Sequence, residues 1–155
     1  MKLEFGKMVG MLFGPVPSEL MPGAKNAVDV CLGVRAGERI ALIADEVSRS
    51  VAASLEQAIR DRGGEPTGLL LEDFGPRPMG AAPEAVLEAL EKADVGILCM
   101  TPQPGELGAR MAIVKVVERR QIRYAHMVGV TPEIMLQGMR AEGFRGRVLV
   151  VLPHG

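Results

Sequence analysis

Asp45, Glu46 and Ser48 follow directly on one apolar run of the chain, Thr101 follows a second, and Gly129 and Thr131 follow a third. Carboxylates in such places can act as acid, base or metal ligand, and hydroxyls can donate or accept a hydrogen bond to a ligand. If the runs are strands of an open parallel sheet, with 39–45 central and the fourth strand beside it, these six residues line the crevice outside the carboxyl ends. Ligands sit there in such sheets, at the point where strand order reverses. Helix capping is the competing use of Asp45, Ser48 and Thr131, because a side-chain oxygen there can accept a free N–H of a first helical turn.

Other chemistries find less. A metal would have to draw on Asp45 and His126, with Asp73 and His154 as conceivable partners, and neither an HExxH nor a paired HxD spacing is present. A single histidine in a strand more often serves as a hydrogen-bonded structural residue, so no metal and no cofactor is expected. None of Ser18, Ser48, Ser50 and Ser54 lies in a GxSxG turn, and Cys31 and Cys99 belong to no CxxC pair. Both cysteines read as small buried hydrophobes in a reducing compartment. No catalytic residue is assigned. Neither GxGxxG nor GxxxxGK[ST] occurs, and the turn after the first run, Asp45-Glu-Val-Ser48, offers a phosphate two carboxylates and no glycine.

The elements that must position these residues are legible from periodicity. The segments 39–44, 67–71, 94–100, 123–128 and 147–152 are short apolar runs bounded by turn residues, the pattern of strands buried on both faces. Helical spacing fills the intervals. One helix begins at Met21-Pro22; another follows Ser48, with Val51, Ala52, Leu55, Ala58 and Ile59 inward; a third starts at Pro83. A fourth, from about Glu106 to Arg119, is expected to turn Leu107, Met111, Val114 and Val117 inward, and Thr131-Pro132 starts a short fifth. The Gly- and Pro-rich stretch 72–80 is a loop at the carboxyl edge. The fold class is therefore α/β, an open, mainly parallel Rossmann-like sheet of about five strands flanked by helices.

With 155 residues, 48% hydrophobic and 24% charged, the chain is the size of one domain and has the composition of a globular one. A net charge of −1 without a basic stripe, and 3% aromatics, speak against nucleic-acid partners. No segment approaches the ~20 apolar residues of a membrane span, and a cytoplasmic location is expected. Residues 1–20 form an amino-terminal arm ahead of a single domain at 21–155. Met8, Met11, Leu12 and Phe13 are too apolar to leave in water and lack a period, so they are expected to form the contact of a homo-oligomer, with a dimer favoured.

Gly23-Ala-Lys-Asn-Ala-Val-Asp-Val-Cys-Leu-Gly-Val-Arg-Ala-Gly-Glu-Arg-Ile-Ala-Leu-Ile-Ala-Asp45, Pro83-Glu-Ala-Val86, Lys92-Ala-Asp-Val95, Ala109-Arg110 and His126-Met-Val-Gly-Val-Thr-Pro-Glu-Ile-Met135 stand in one order along the chain. Together they resemble the amino-terminal half of the thermophilic aminopeptidase family of metallopeptidases, the leucyl aminopeptidase or aminopeptidase T type. The resemblance spans roughly residues 21–142. It implies a Rossmann-like domain, and it places the metal ligands in a carboxyl-terminal half with no counterpart here; Leu107-Gly108 also stands where a His-Thr pair tends to precede Ala109-Arg110. The resulting expectation is a stand-alone, non-catalytic binding or assembly module, inactive in isolation. The alternative is an aminopeptidase-like, metal-dependent hydrolase using Asp45, Glu46 and His126, or one subunit of a split aminopeptidase whose metal domain is a separate chain.

Overall fold

Parallel strands need helical crossovers, and the chain alternates the two along most of its length. A computed structural model describes residues 12–137 and the strand residues 149–151. Helix α1 runs through Met21–Lys25 and continues, with a wider turn, over Asn26–Cys31. Then follow β1 (Arg39–Ala44), α2 (Arg49–Asp61), β2 (Glu65–Leu70), α3 (Glu84–Lys92), β3 (Val95–Met100), α4 (Leu107–Arg120), β4 (Arg123–Val128), α5 (Pro132–Gln137) and β5 (Leu149–Val151). The sheet order is β2-β1-β3-β4-β5. The first four strands are mutually parallel, and the three-residue β5 pairs antiparallel with β4.

This order corrects one expectation. The neighbours of β1 are β2 and β3, so strand order reverses between β1 and β3, and β4 lies one strand further out. The chain visits β2 on one side of β1 and then crosses back over it. Residues Ile40, Leu42, Ile43, Ile97 and Leu98 are fully buried, as continuous apolar runs require of strands covered on both faces.

Two cores result. On one face, Ile40, Leu42 and Ala44 of β1 pack with α1, α2 and Met135 of α5; on the other, Ala41 and Ile43 pack with α3 and α4. The alternation along β1 follows from the two-residue period of a strand. Gly63, with φ of +81°, ends α2 in a left-handed conformation that a side chain would resist.

Two packing expectations are overturned. In α4 Val117 is buried as expected and Val114 packs partly buried against the core, but Leu107 and Met111 are exposed, and Ala109, Ile113 and Val116 turn inward instead. Apolar residues surround this helix, so periodicity alone does not set its phase; Ala109 and Ile113 pack in the core with Tyr124 of β4. Phe13, expected at an interface, is 1% exposed and sits in the domain's own core with Leu20. Gly68 of β2 makes room for it: a Cβ there would lie 2.4 Å from Leu12 and 2.9 Å from Phe13. The backbone N–H groups of Leu12 and Phe13 also hydrogen-bond the buried Glu56 carboxylate. Met8 and Met11 lie outside the described residues, as does His154.

Candidate functional site

Asp45 ends β1 at the reversal point, beside the end of β3, and is fully buried. A buried carboxylate is costly unless every lone pair finds a donor. Here each does. Oδ1 accepts the N–H of Ser48 at 2.9 Å and faces the Ser48 hydroxyl at 2.7 Å. Oδ2 accepts the N–H of Thr101 at 2.7 Å and Nη1 of Arg77 at 3.2 Å. The Ser48 hydroxyl also lies 2.8 Å from the carbonyl of Cys99, and its oxygen accepts the Asp45 N–H at 3.2 Å. Asp45 and Ser48 therefore tie the end of β1 to the end of β3.

The Gly/Pro loop after β2 folds over this point and inserts Arg77, whose side chain is 6% exposed. A guanidinium has five N–H donors, and all five are engaged. Nε reaches Glu106 Oε2 at 2.5 Å, Nη2 reaches Glu106 Oε1 at 2.8 Å and the Thr101 carbonyl at 3.1 Å, and Nη1 reaches Asp45 and Glu72, each at 3.2 Å. Glu106 also accepts the N–H of Met79 at 2.7 Å, which fastens the loop from its backbone as well. The fork-on-fork pairing with Arg77 holds the Glu106 carboxyl below the usual carboxylate range despite burial, and the same pairing raises Arg77.

The other expected residues are placed as follows. Glu46 is exposed and paired with Arg49, whose hydrogen bond lowers its carboxyl; its N–H donates to Glu72 at 3.1 Å. Thr131 caps α5, accepting the Ile134 N–H at 3.2 Å. Gly129, φ +86°, donates its N–H to Met100 at 2.7 Å, tying the ends of β3 and β4 together. Thus Asp45, Ser48 and Thr101 meet in one network with Glu46 at its rim, while Gly129 and Thr131 stand one strand away. His126 does not join them: its Nδ1 lies 2.9 Å from the Tyr124 hydroxyl on β4, and burial, with Arg110 nearby, lowers its pKa. Among the described residues no group of three or more His, Cys, Asp or Glu is placed to hold a metal ion. Burial pushes the thiols of Cys99 and Cys31 up, away from the nucleophilic thiolate.

Sequence reasoning missed Arg77 and Glu106, the two residues that close the site. One signal was available. The carboxyl ends carry Asp45, Glu46, Glu72, Asp73 and Glu106, and a carboxylate as apolar in its surroundings as Asp45 demands a cation; Arg77 is the basic residue of the loop beside it.

Around this network stand exposed apolar side chains. Val47 follows Glu46 and is 71% exposed; Phe74, two residues beyond Glu72, is 43% exposed; Leu107, next to Glu106, is 62% exposed, and Met111, one turn along α4, is 47% exposed.

No family model matches the chain, and no curated protein does. A solved structure from Corynebacterium glutamicum, described as a transcription regulation repressor of the LacI family, is similar with a TM-score of 0.39 and 14% identity. The alignment covers 79% of this chain, which spans 55% of that structure's chain. The likeness is too distant to carry a functional reading. The resemblance to the aminopeptidases is corrected by these findings, which contain no member of that family. Its quoted stretches include a buried strand (Arg39–Ala44), the residue before a helix (Pro83) and a helix start (Thr131-Pro132), which any doubly wound sheet needs. No helix among the described residues is long and apolar enough to cross a membrane.

Proposed function

We propose that the chain is a non-catalytic binding or assembly module, and that it self-associates as a dimer through the carboxyl edge of its sheet. The observation that carries this reading is the saturation of the Arg77 network. Where this architecture takes a ligand, all five donors of Arg77 and both oxygens of Asp45 already have partners inside the chain. An acid, base or nucleophile needs a free valence toward its substrate; the donors of Arg77 and the oxygens of Asp45 are spent within the chain, and Glu106 is bound by Arg77 and by the Met79 N–H. The same network makes the edge rigid, and Val47, Phe74, Leu107 and Met111 give it an apolar character that water does not favour. A two-fold contact would bury that surface on both copies at once.

Sedimentation equilibrium at tens of micromolar tests the reading. A dimer is expected for the native chain, and a monomer with an unchanged circular dichroism spectrum for the double variant Leu107→Asp, Met111→Asp. A native monomer, or a double variant that dimerises equally well, would sink it.

A further inference from the structure

A second feature lies away from the carboxyl edge, along β2. In the parallel pairing of β2 with β1, Glu65 donates its N–H to Glu38. Since lateral groups alternate along a strand, Glu65, Thr67 and Leu69 face β1, and Pro66, Gly68 and Leu70 turn their backbone groups outward. Pro66, which has no N–H to give, therefore occupies an outward position, the place where a strand proline costs nothing. The N–H and carbonyl of Gly68 and the N–H of Leu70 have no partner strand among the described residues, because β2 ends the sheet, whereas the Leu70 carbonyl accepts the first hydrogen bond of the helical turn Leu71–Phe74.

Beside this edge, between β2 and α3, runs a groove of about 350 Å³, within the range that ligand sites occupy. Ile40 and Ala41 of β1, Thr67 and Leu69 of β2, and Ala85, Ala89 and Ala93 line it. Ala85 and Ala89 lie one turn apart on one side of α3 and Ala93 follows its last residue, so that side of the helix is low and the groove stays open. Arg39 and Lys92 stand on its lining at the end where β1 starts and α3 finishes, and Glu88 lies one turn nearer the middle.

We infer that this edge and groove together bind the carboxyl-terminal end of an extended peptide, added antiparallel to β2. Strand addition uses backbone hydrogen bonds for affinity and alternate side-chain pockets for selection. The N–H and carbonyl of Gly68 and the N–H of Leu70 supply the first, and the groove, floored by Leu69 and the alanines, takes aliphatic side chains at every second peptide position. Only the antiparallel direction brings the peptide's terminal carboxylate to Arg39 and Lys92. The volume suits one or two such side chains and is too small for a helix. This site is separate from the carboxyl edge and does not depend on the dimer proposed above.

The probe is fluorescein-Gly-Thr-Leu-Thr-Leu with a free carboxyl terminus, titrated with the full chain and followed by fluorescence anisotropy. Saturable binding is expected. Methylating the threonine nitrogen that faces the Gly68 carbonyl should weaken it by about tenfold or more, whereas methylating the leucine nitrogens, which face away, should leave it within about twofold. Amidating the terminus should weaken binding to the native chain by about fivefold but have no effect on binding to Lys92→Gln, Arg39→Gln. Ala89→Phe, which fills the groove from a partly buried position on its lining, should abolish binding with a thermal melt close to that of the native chain. Absence of saturable binding overturns the inference, as does equal sensitivity to both methylation patterns. Self-association of the chain that Ala89→Phe abolishes would also overturn it, in favour of a second copy as occupant.

Discussion

The carboxyl edge and the β2 groove are opposite solutions to exposed structure at the boundary of one sheet. At the carboxyl edge the chain supplies its own ligand: Arg77 reaches in from the loop and uses every donor it has. At β2 the chain leaves backbone groups and an apolar-floored space without an occupant among the described residues. The first region should be stiff and intolerant of change; the second should tolerate change and respond through binding. Position in the fold therefore does not identify the open site. Whether the polar groups at that position are already satisfied does.

The largest expected effect tests the stiff side. Arg77→Met removes the only cation among the described residues that is ion-paired with Asp45 and Glu106, both buried, and breaking such a pair by one partner typically costs about 3–5 kcal/mol. Urea unfolding would measure it, with Leu42→Ala, expected to cost about 2–5 kcal/mol in the centre of the sheet, as the apolar yardstick. A loss below about 1 kcal/mol for Arg77→Met would remove the contrast between the two regions.

A smaller effect follows from pH. The Glu106 carboxyl is held below its unfolded value, first by the hydrogen bonds from Arg77, so the folded state binds its proton less readily. The stability it contributes is fully present above the unfolded value, about 4.3, and is lost as pH falls through the folded one. Stability should accordingly decline below about pH 4.3 more steeply in the native chain than in Glu106→Gln, as urea midpoints across that window would show. His126 has the same sign with different groups: burial, then Arg110, lowers its pKa, so its imidazole should titrate below the ordinary value of about 6.5. Proton NMR of the ring reads that midpoint directly, and one at or above 6.5 would contradict the placement.

The smallest effect belongs to the open side. Ala89 is partly buried where α3 packs on the core and also lines the groove, so the added volume of Ala89→Phe has the groove to occupy, and its stability should stay within about 1 kcal/mol of the native chain. A melt lowered as far as that of Arg77→Met would mean that the groove is structural.

The strands were legible because a strand buried on both faces has few residue types to choose from, and 39–44 and 123–128 were placed to the residue. Thr67–Leu71 shifted toward the amino end because Glu65 and Pro66, polar and donor-poor, are acceptable on an edge strand though not on a central one. Asp45, Ser48 and Thr101 were legible for the same reason as the strands, since they mark their ends. Arg77 was not, because a loop arginine has no period, and only the three-dimensional return of the loop over β1 and β3 gives it partners. The phase of α4 was hidden by a helix with apolar residues on every side. The order of the strands had no local signature at all.

Arg77 can also be viewed through concentration. A guanidinium tethered by a short loop confronts Asp45 and Glu106 at an effective concentration of millimolar or more, set by the length and stiffness of the tether rather than by the cell. Any free cationic ligand reaches those carboxylates only by outcompeting that local concentration, and ordinary solutes do not. Guanidinium chloride at molar strength does. The chain should therefore meet this denaturant as a competitor for one specific site as well as a solvent, and should unfold at a lower guanidinium concentration, relative to urea, than Arg77→Met does.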